Sequence, residues 1–474
     1  MSIAKKIFYN TTWQIVLRFG EIILGIFTLG LITRLLGQTE YGYYTTIVAW
    51  LQFWIVLVDL GLYLTLLREI SAHPDKETET INSMVTLRLV TAVLFLGLGI
   101  ITAYLTNYPA EIKFGVVVLA VSYLANSIIT VLTALFQQRL RMPIVATASL
   151  INKVLLLLGI MALSWRPHHL FVIVAVSSLA AVANLLIVWI AASRMIRLRL
   201  SWNTRTWLAL LVKTWPLAVT TALNLIYFKL DTLFMSWYRP ASEVGLYGAG
   251  YRVLEIITTF PHMFMGLILP LLTAAWVARD HQNLQKLWQR CFDFFAFLTL
   301  PLIAGTWVLA TPIMIAIAGP EFGPSGAIVK ILILATAAIF FGTLYTYLVI
   351  VFDRQKAMIP YFAIAAVLSV IGYTITIPRY SYWGAAWMTV AIEVLIIFFA
   401  WLTIRKQFTF QPRLIIAAKL FLASVLMALC LQQLTFLPLM IQILIGVIVY
   451  GALVVITKAF RWQDIKPLLF NAKS

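Results

Sequence analysis

Stretch after stretch of about 20 apolar residues, separated by short charged loops, leaves this 474-residue chain few folds to choose from. A helix needs about 20 such residues to cross the hydrocarbon core of a bilayer. The stretches fall at about 11–33, 42–67, 83–105, 112–135, 143–164 and 170–192, then 213–238, 244–272, 291–317, 325–351, 359–377 and 383–404, with a last pair at 414–434 and 438–458. The pattern predicts an all-α polytopic membrane protein of about 14 transmembrane helices. Composition agrees: 62% of residues are hydrophobic and 11% charged, against about 45–50% and about 25% in soluble domains. Lys5 and Lys6 are followed by polar Asn10, Thr11, Thr12 and Gln14 rather than an apolar core, so the first span reads as an uncleaved membrane helix.

The formal charge of +18 would suggest nucleic acid if it sat on a polar domain, but the cations flank apolar runs instead. That is the look of cytoplasmic loops. With the N terminus inside, and cations near span ends counted with the adjoining loop, the cytoplasmic loops and tail hold 24 Lys and Arg and the exterior loops 6; the other five fall deeper within spans. A missed helix would scramble so strong a bias. The expectation is a multi-pass protein of the cell (inner or plasma) membrane with both termini cytoplasmic. The segment 67–83 reads as a loop and the basic stretch 193–213 as the boundary between halves. No loop is long enough for a folded domain outside the bilayer, so any activity must lie within it.

The halves echo each other. Glu40-Tyr41-Gly42-Tyr43-Tyr44 opens the second span and Glu243-Val244-Gly245-Leu246-Tyr247 opens the eighth. An even number of spans between the copies keeps them in one orientation, which implies a parallel pseudo-twofold repeat. The expected domains are an N-lobe over 1–200 (spans 1–6), a C-lobe over 205–405 (spans 7–12) and a terminal pair over 412–474 (spans 13–14).

A charged side chain in hydrocarbon costs about 2.5–3.5 kcal/mol on insertion scales, so each one needs a reason. The basic set within the spans is Arg18, Arg88, Lys153, Lys229 and Arg252; the acidic set is Glu21, Asp59, Asp231, Glu255 and Glu393. Arg18 with Glu21, and Arg252 with Glu255, are three apart and share a helix face. Each pair either neutralises itself for insertion or faces a hydrated cavity. Lys229 and Asp231, two apart, point in different directions. Arg88 is near enough to the interface to snorkel. Lys153 and Glu393 sit near helix centres and favour a polar interior; Asp59 precedes Gly61 and could bond a neighbouring helix or take up a proton. Cations without an acid at helical spacing suit an anionic guest such as a phosphate group, and the acids are candidate ion carriers or charge partners. No HExxH, GxSxG, Walker loop or nucleotide fingerprint occurs, so neither an enzyme activity nor a cofactor is expected. Cys291 and Cys430 form no CxxC and no metal-ligand set is visible.

The ordered motifs carry a resemblance. Thr33-Arg34-Leu35-Leu36-Gly37, Glu40-Tyr41-Gly42-Tyr43-Tyr44 and Asp59-Leu60-Gly61-Leu62 resemble the opening pattern of the polysaccharide transporter family of the multidrug/oligosaccharidyl-lipid/polysaccharide exporter superfamily, which includes O-antigen flippases. Trp215-Pro216-Leu217, Asp231, Glu243 to Tyr247, Tyr251-Arg252, Leu269-Pro270, Gly319-Pro320-Glu321-Phe322 and Gly384-Ala385-Ala386 continue it. The resemblance implies a V-shaped pair of six-helix lobes and a flippase that turns a polyprenyl-diphosphate-linked oligosaccharide, an O-antigen or other surface polysaccharide unit, to the outer leaflet by alternating access. It also implies coupling to H+ or Na+, and a polysaccharide polymerase and other assembly proteins as partners alongside membrane lipids. Arg18, Arg88 and Arg252 match the diphosphate-binding arginines of related lipid II flippases by helix and residue type. The alternative is a drug/cation antiporter of the same superfamily, which usually has twelve helices and an acidic pocket. A membrane-embedded glycosyltransferase or polymerase would need longer exterior loops than these.

Overall fold

The structure, a computed structural model, describes residues 3–59, 61–165, 168–409 and 412–459. Thirteen α-helices are formed among them: α1 (Ile3–Asp59), α2 (Leu62–Ala72), α3 (Glu77–Leu105), α4 (Ala110–Gln138), α5 (Met142–Leu163), α6 (His169–Ser193), α7 (Thr204–Tyr238), α8 (Ala241–Val277), α9 (His281–Ala318), α10 (Ser325–Val351), α11 (Gln355–Ile404), α12 (Ile415–Gln433) and α13 (Leu439–Ile456). No strand occurs among the described residues. The all-α membrane architecture is as the apolar pattern predicts.

Eleven of these stretches are long and apolar enough to cross a membrane. Two are double length. Unbroken, the 57 residues of α1 would run roughly 85 Å, nearly three hydrocarbon thicknesses. The backbone leaves helical geometry at Gly37 (φ 63°, ψ −175°), which divides α1 into two spans; a left-handed φ costs glycine nothing. Ser381 (φ 53°, ψ −139°) divides the 50-residue α11 in the same way. With these two breaks and α7, the spans number fourteen. The second span breaks again at Gly61 (φ 72°), after which α2 carries it on to Ala72.

Helices run further into the loops than hydropathy alone suggests. The charged segment 67–83 is helical except around His73–Lys76. Glu77 and Glu79 lie in the first turn of α3, where they complement the helix dipole. Asn203 caps α7 by accepting from the Thr206 amide at 3.1 Å, and Asp280 caps α9 by accepting from the Asn283 amide at 2.9 Å.

The chain divides into two compact units, Met1–Gly245 and Leu246–Ser474. In the first, Leu66, Ile70, Met84, Leu132, Phe136 and Val188 form a core that ties α2, α3, α4 and α6 together. Higher in this unit, Trp50 donates its indole N–H to the Gly99 carbonyl at 2.8 Å. In the loop after α3, the Tyr108 hydroxyl lies 2.7 Å from Ser236 Oγ. Burial pushes that phenol up to about 12, so it stays protonated at any physiological pH.

Gly42 and Gly245, the glycines of the internal echo, meet within this unit. A Cβ on Gly42 would lie 1.8 Å from the Ala241 carbonyl oxygen, and one on Gly245 would lie 2.1 Å from that of Gln38. No residue but glycine permits two backbones to approach so closely.

The second unit is built on aromatic packing. Phe264, Phe295, Phe340 and Trp288 fill its interior with Met265, Leu344 and Leu348. The final pair, α12 and α13, packs on α9 through Leu420, Met427, Leu431 and Tyr450, whose hydroxyl donates to the Phe297 carbonyl at 2.8 Å. Hydroxyls along the helices, such as Thr46, Thr336 and Ser424, donate to the carbonyl one turn back. Donors in hydrocarbon must be satisfied locally.

Each unit has a segment between two helices that is strapped down by a side-chain amide. On α3, Asn82 Nδ2 donates to the Arg197 carbonyl at 3.0 Å and Asn82 Oδ1 accepts from the Arg199 amide at 3.1 Å. On α9, Gln289 Nε2 donates to the Arg413 carbonyl at 3.2 Å and its Oε1 accepts from the Arg413 amide at 2.9 Å. The repeat thus extends to contacts that no motif announces.

Candidate functional site: charges within the spanning helices

Of the ten charged positions named from sequence, seven lie in the first unit and three in the second. Arg18 is on α1, but its side chain lies outside the described residues. Glu21, one turn on, is buried and engaged with neighbouring groups. Lys153 on α5 and Lys229 on α7 are half-buried, and each is also engaged. Asp231 is fully buried two residues beyond Lys229, where its Oδ1 accepts from both the amide and the hydroxyl of Thr232 at 2.6 and 3.2 Å.

Arg88 and Asp59 come together. The guanidinium is 1% exposed, donating to Asp59 Oδ1 at 2.6 Å and to the Val58 carbonyl at 2.7 Å. The broken second span leaves carbonyls without helical partners just before Gly61, and Arg88 of α3 supplies one of the missing donors. Burial here is thus matched by hydrogen bonds to a charge and to a helix end, and the side chain does not snorkel to the interface. Its third nitrogen, Nε, is buried without a partner.

Arg252 and Glu255 on α8 form the other pair, with Nη1 2.6 Å from Oε2. The arginine side chain is 49% exposed and the glutamate 20%. A half-exposed guanidinium well inside a spanning helix would be costly against lipid, so a hydrated surface is its natural setting. Further along the chain, Glu393 on α11 is 7% exposed and has no hydrogen bond or ion pair among the described residues. Thr389, one turn before it, is also buried, 3.5 Å from the Tyr247 hydroxyl.

Two features are not among those read from the sequence. One is an ion pair at the repeated motif: Arg239 holds Glu243 through two hydrogen bonds at 2.7 and 3.0 Å. Glu40, its counterpart in the first copy, has no such pair among the described residues. It lines a cavity of about 450 Å³ with Tyr43, Glu111, Phe114, His168 and Phe171. The other is the pair of amide straps, since an isolated Asn or Gln in a helix is too common to mark a contact. No group of three or more potential metal ligands occurs among the described residues.

Known proteins resemble this chain in sequence or in fold. The succinoglycan biosynthesis transport protein ExoT of Rhizobium meliloti (strain 1021) is 22% identical over 476 residues, covering 96% of this chain and 94% of its own. Among solved structures, the lipid II flippase MurJ in its inward closed conformation superposes with a TM-score of 0.75 at 15% identity, covering 94% of this chain and 98% of its own. The Vibrio cholerae MATE transporter VcmN matches with a TM-score of 0.58 at 15% identity, over 85% and 96% of the two chains. The sequence over residues 3–276 matches the family described as polysaccharide biosynthesis protein, and with more than half its length inside that match the chain belongs to this family.

Proposed function

We propose that this protein is a flippase that carries a polyprenyl-diphosphate-linked oligosaccharide from the cytoplasmic to the outer leaflet of the cell membrane by alternating access. The observation that carries the reading is the Arg252–Glu255 pair, a half-exposed cation held by a carboxylate inside a spanning helix. Planar guanidinium groups match diphosphate oxygens two at a time, which a lysine ammonium cannot do. Membership of a polysaccharide biosynthesis family and likeness to a succinoglycan transport protein support a glycan cargo. A transporter, not an enzyme, is the role these relatives suggest. Drug/cation antiport, the reading that a MATE fold alone would allow, fits less well with an arginine as the half-exposed charge of this pair on α8.

Work is needed to move a hydrophilic glycan across about 30 Å of hydrocarbon. An ion gradient would supply it through the membrane carboxylates. When the diphosphate takes Arg252, Glu255 loses the charge that opposes protonation and takes up a proton; release outside restores the pair. Glu393, buried and unpaired among the described residues, and Asp231 are further candidate carriers.

Flipping of a lipid-linked oligosaccharide by the purified protein in liposomes tests both parts. Arg252→Ala should abolish flipping while the protein stays folded, with Arg252→Lys keeping only a fraction. Glu255→Gln should blunt the response to an imposed pH gradient more than it weakens substrate binding. Full flipping by Arg252→Ala would remove the diphosphate site. Indifference of the wild type to both proton and sodium gradients would leave a downhill mechanism in place of coupling.

A further inference from the structure

The segment between α6 and α7, with the first turn of α7, carries four arginines, Arg194, Arg197, Arg199 and Arg205, and all four are exposed. None has an ion pair or side-chain hydrogen bond among the described residues. Two nearby cations are paired instead: Arg139 with Glu77 at 2.9 Å and Lys213 with Glu69 at 2.7 Å. The acids within reach of this end are therefore engaged elsewhere, apart from exposed Asp75 and Glu79, the second of which accepts from Asn203 at 3.3 Å.

The free guanidiniums are displayed on a fixed main chain. Asn82 bonds the Arg197 carbonyl and the Arg199 amide, Thr86 Oγ1 accepts from the Ser201 amide at 2.8 Å, and Arg139 donates to the Met195 carbonyl at 3.3 Å. Just beyond, the Trp207 indole donates to the Ser83 carbonyl at 3.0 Å. Every strap acts on the backbone or on the tryptophan, and none on an arginine. Among the arginines and just beyond them lie exposed apolar groups: Leu200, Leu208 and Trp202, which is 70% exposed and packs at 5.6 Å from the Trp207 ring.

We propose that this strapped segment is a binding site for the headgroups of anionic phospholipids, such as phosphatidylglycerol, in the leaflet that the charge bias assigns to the cytoplasm. The segment joins the ends of two spanning helices, so it lies at headgroup depth. Unpaired arginines there meet phosphates, while Trp202, Leu200 and Leu208 enter the acyl boundary, the usual place for such side chains. Because the main chain is already ordered, binding incurs little of the entropy cost that a loose basic loop would pay. This inference does not depend on what the protein transports.

Native mass spectrometry of the full chain, released from micelles with equal phosphatidylglycerol and phosphatidylcholine, reads the selectivity directly. The wild type should retain phosphatidylglycerol preferentially, and less so as salt is raised. At roughly five-fold per arginine near an anionic surface, Arg197→Gln with Arg199→Gln should weaken retention about 25-fold, leaving both Asn82 bonds intact because they use main-chain atoms. The quadruple Gln variant should show no selectivity, and the quadruple Lys variant should keep most of it. A control replacing Arg279, Lys286, Lys356 and Lys406, exposed cations of the other unit, removes the same charge and should leave selectivity unchanged. Equal losses in the control would overturn the site in favour of general charge. Undiminished retention by the quadruple Gln variant, absence of selectivity in the wild type, or equally strong competition by inorganic phosphate would also overturn it.

Discussion

Arg88 and Asp59 are 29 positions apart, and their meeting explains two charges that a bilayer would otherwise reject. Arg88 serves the carboxylate and a helix-end carbonyl together, a task that suits a planar fork of donors better than one ammonium. Removing one partner of a fully buried pair costs about 3–5 kcal/mol; Asp59 retains about a third of its surface, which reduces the expectation for Arg88→Ala to ~2 kcal/mol. Thermal unfolding in detergent should show this as a clearly lowered Tm, with Arg88→Lys intermediate. A Tm unchanged in Arg88→Ala would mean that the pair contributes nothing to the break at Gly61. Sequence marked both residues as needing a reason to be in the membrane. It could not show that each was the other's reason, because they sit on different spans.

At the scale of the helices, the crossing at Gly42 and Gly245 is set by backbone contact. Gly42→Ala or Gly245→Ala must push one helix off the other, at about 1–3 kcal/mol. Gly25→Ala is the matched control, since a Cβ there meets nothing within 4 Å. Thermal unfolding of the three variants should separate the crossing pair from the control. The amide straps make a second expectation at this scale. Asn82→Ala removes two hydrogen bonds that hold the α6–α7 segment, each worth about 1 kcal/mol. Limited trypsinolysis after Arg197 and Arg199 should then speed up about ten-fold or more, because cleavage follows local opening. Gln289→Ala should expose the segment at Arg413 in the same way while leaving the first segment resistant. The helices themselves were legible as apolar runs, and the Gly37 break as the gap between two of them. Their ends were less so: charged residues at 67–83 read as loop, although a helix outside the hydrocarbon pays nothing for charge and gains from acids in its first turn.

Over the whole molecule, the 24 to 6 bias of Lys and Arg makes topology a testable statement. Reporter fusions after residues 75, 200, 285 and 410 should report the cytoplasm, and those after 108, 167, 240 and 380 the exterior. One inversion that persisted through the rest of the chain would mean a miscounted span. The fourteen helical crossings, with α1 and α11 each divided once, agree with the count on which that bias rests.

The sequence by itself determined that this chain is helical, membrane-embedded and built of fourteen spans in two echoing halves. Those properties follow from partition between water and hydrocarbon, which acts on each stretch separately. Only the tertiary structure decided that Arg88 meets Asp59, that Arg252 keeps its glutamate while half-exposed, and that Asn82 and Gln289 pin distant segments. In lipid both faces of a helix are apolar, so no polar stripe in the sequence tells which face turns inward. Rotation and neighbours, which pair the charges, are settled by packing between helices far apart in the chain.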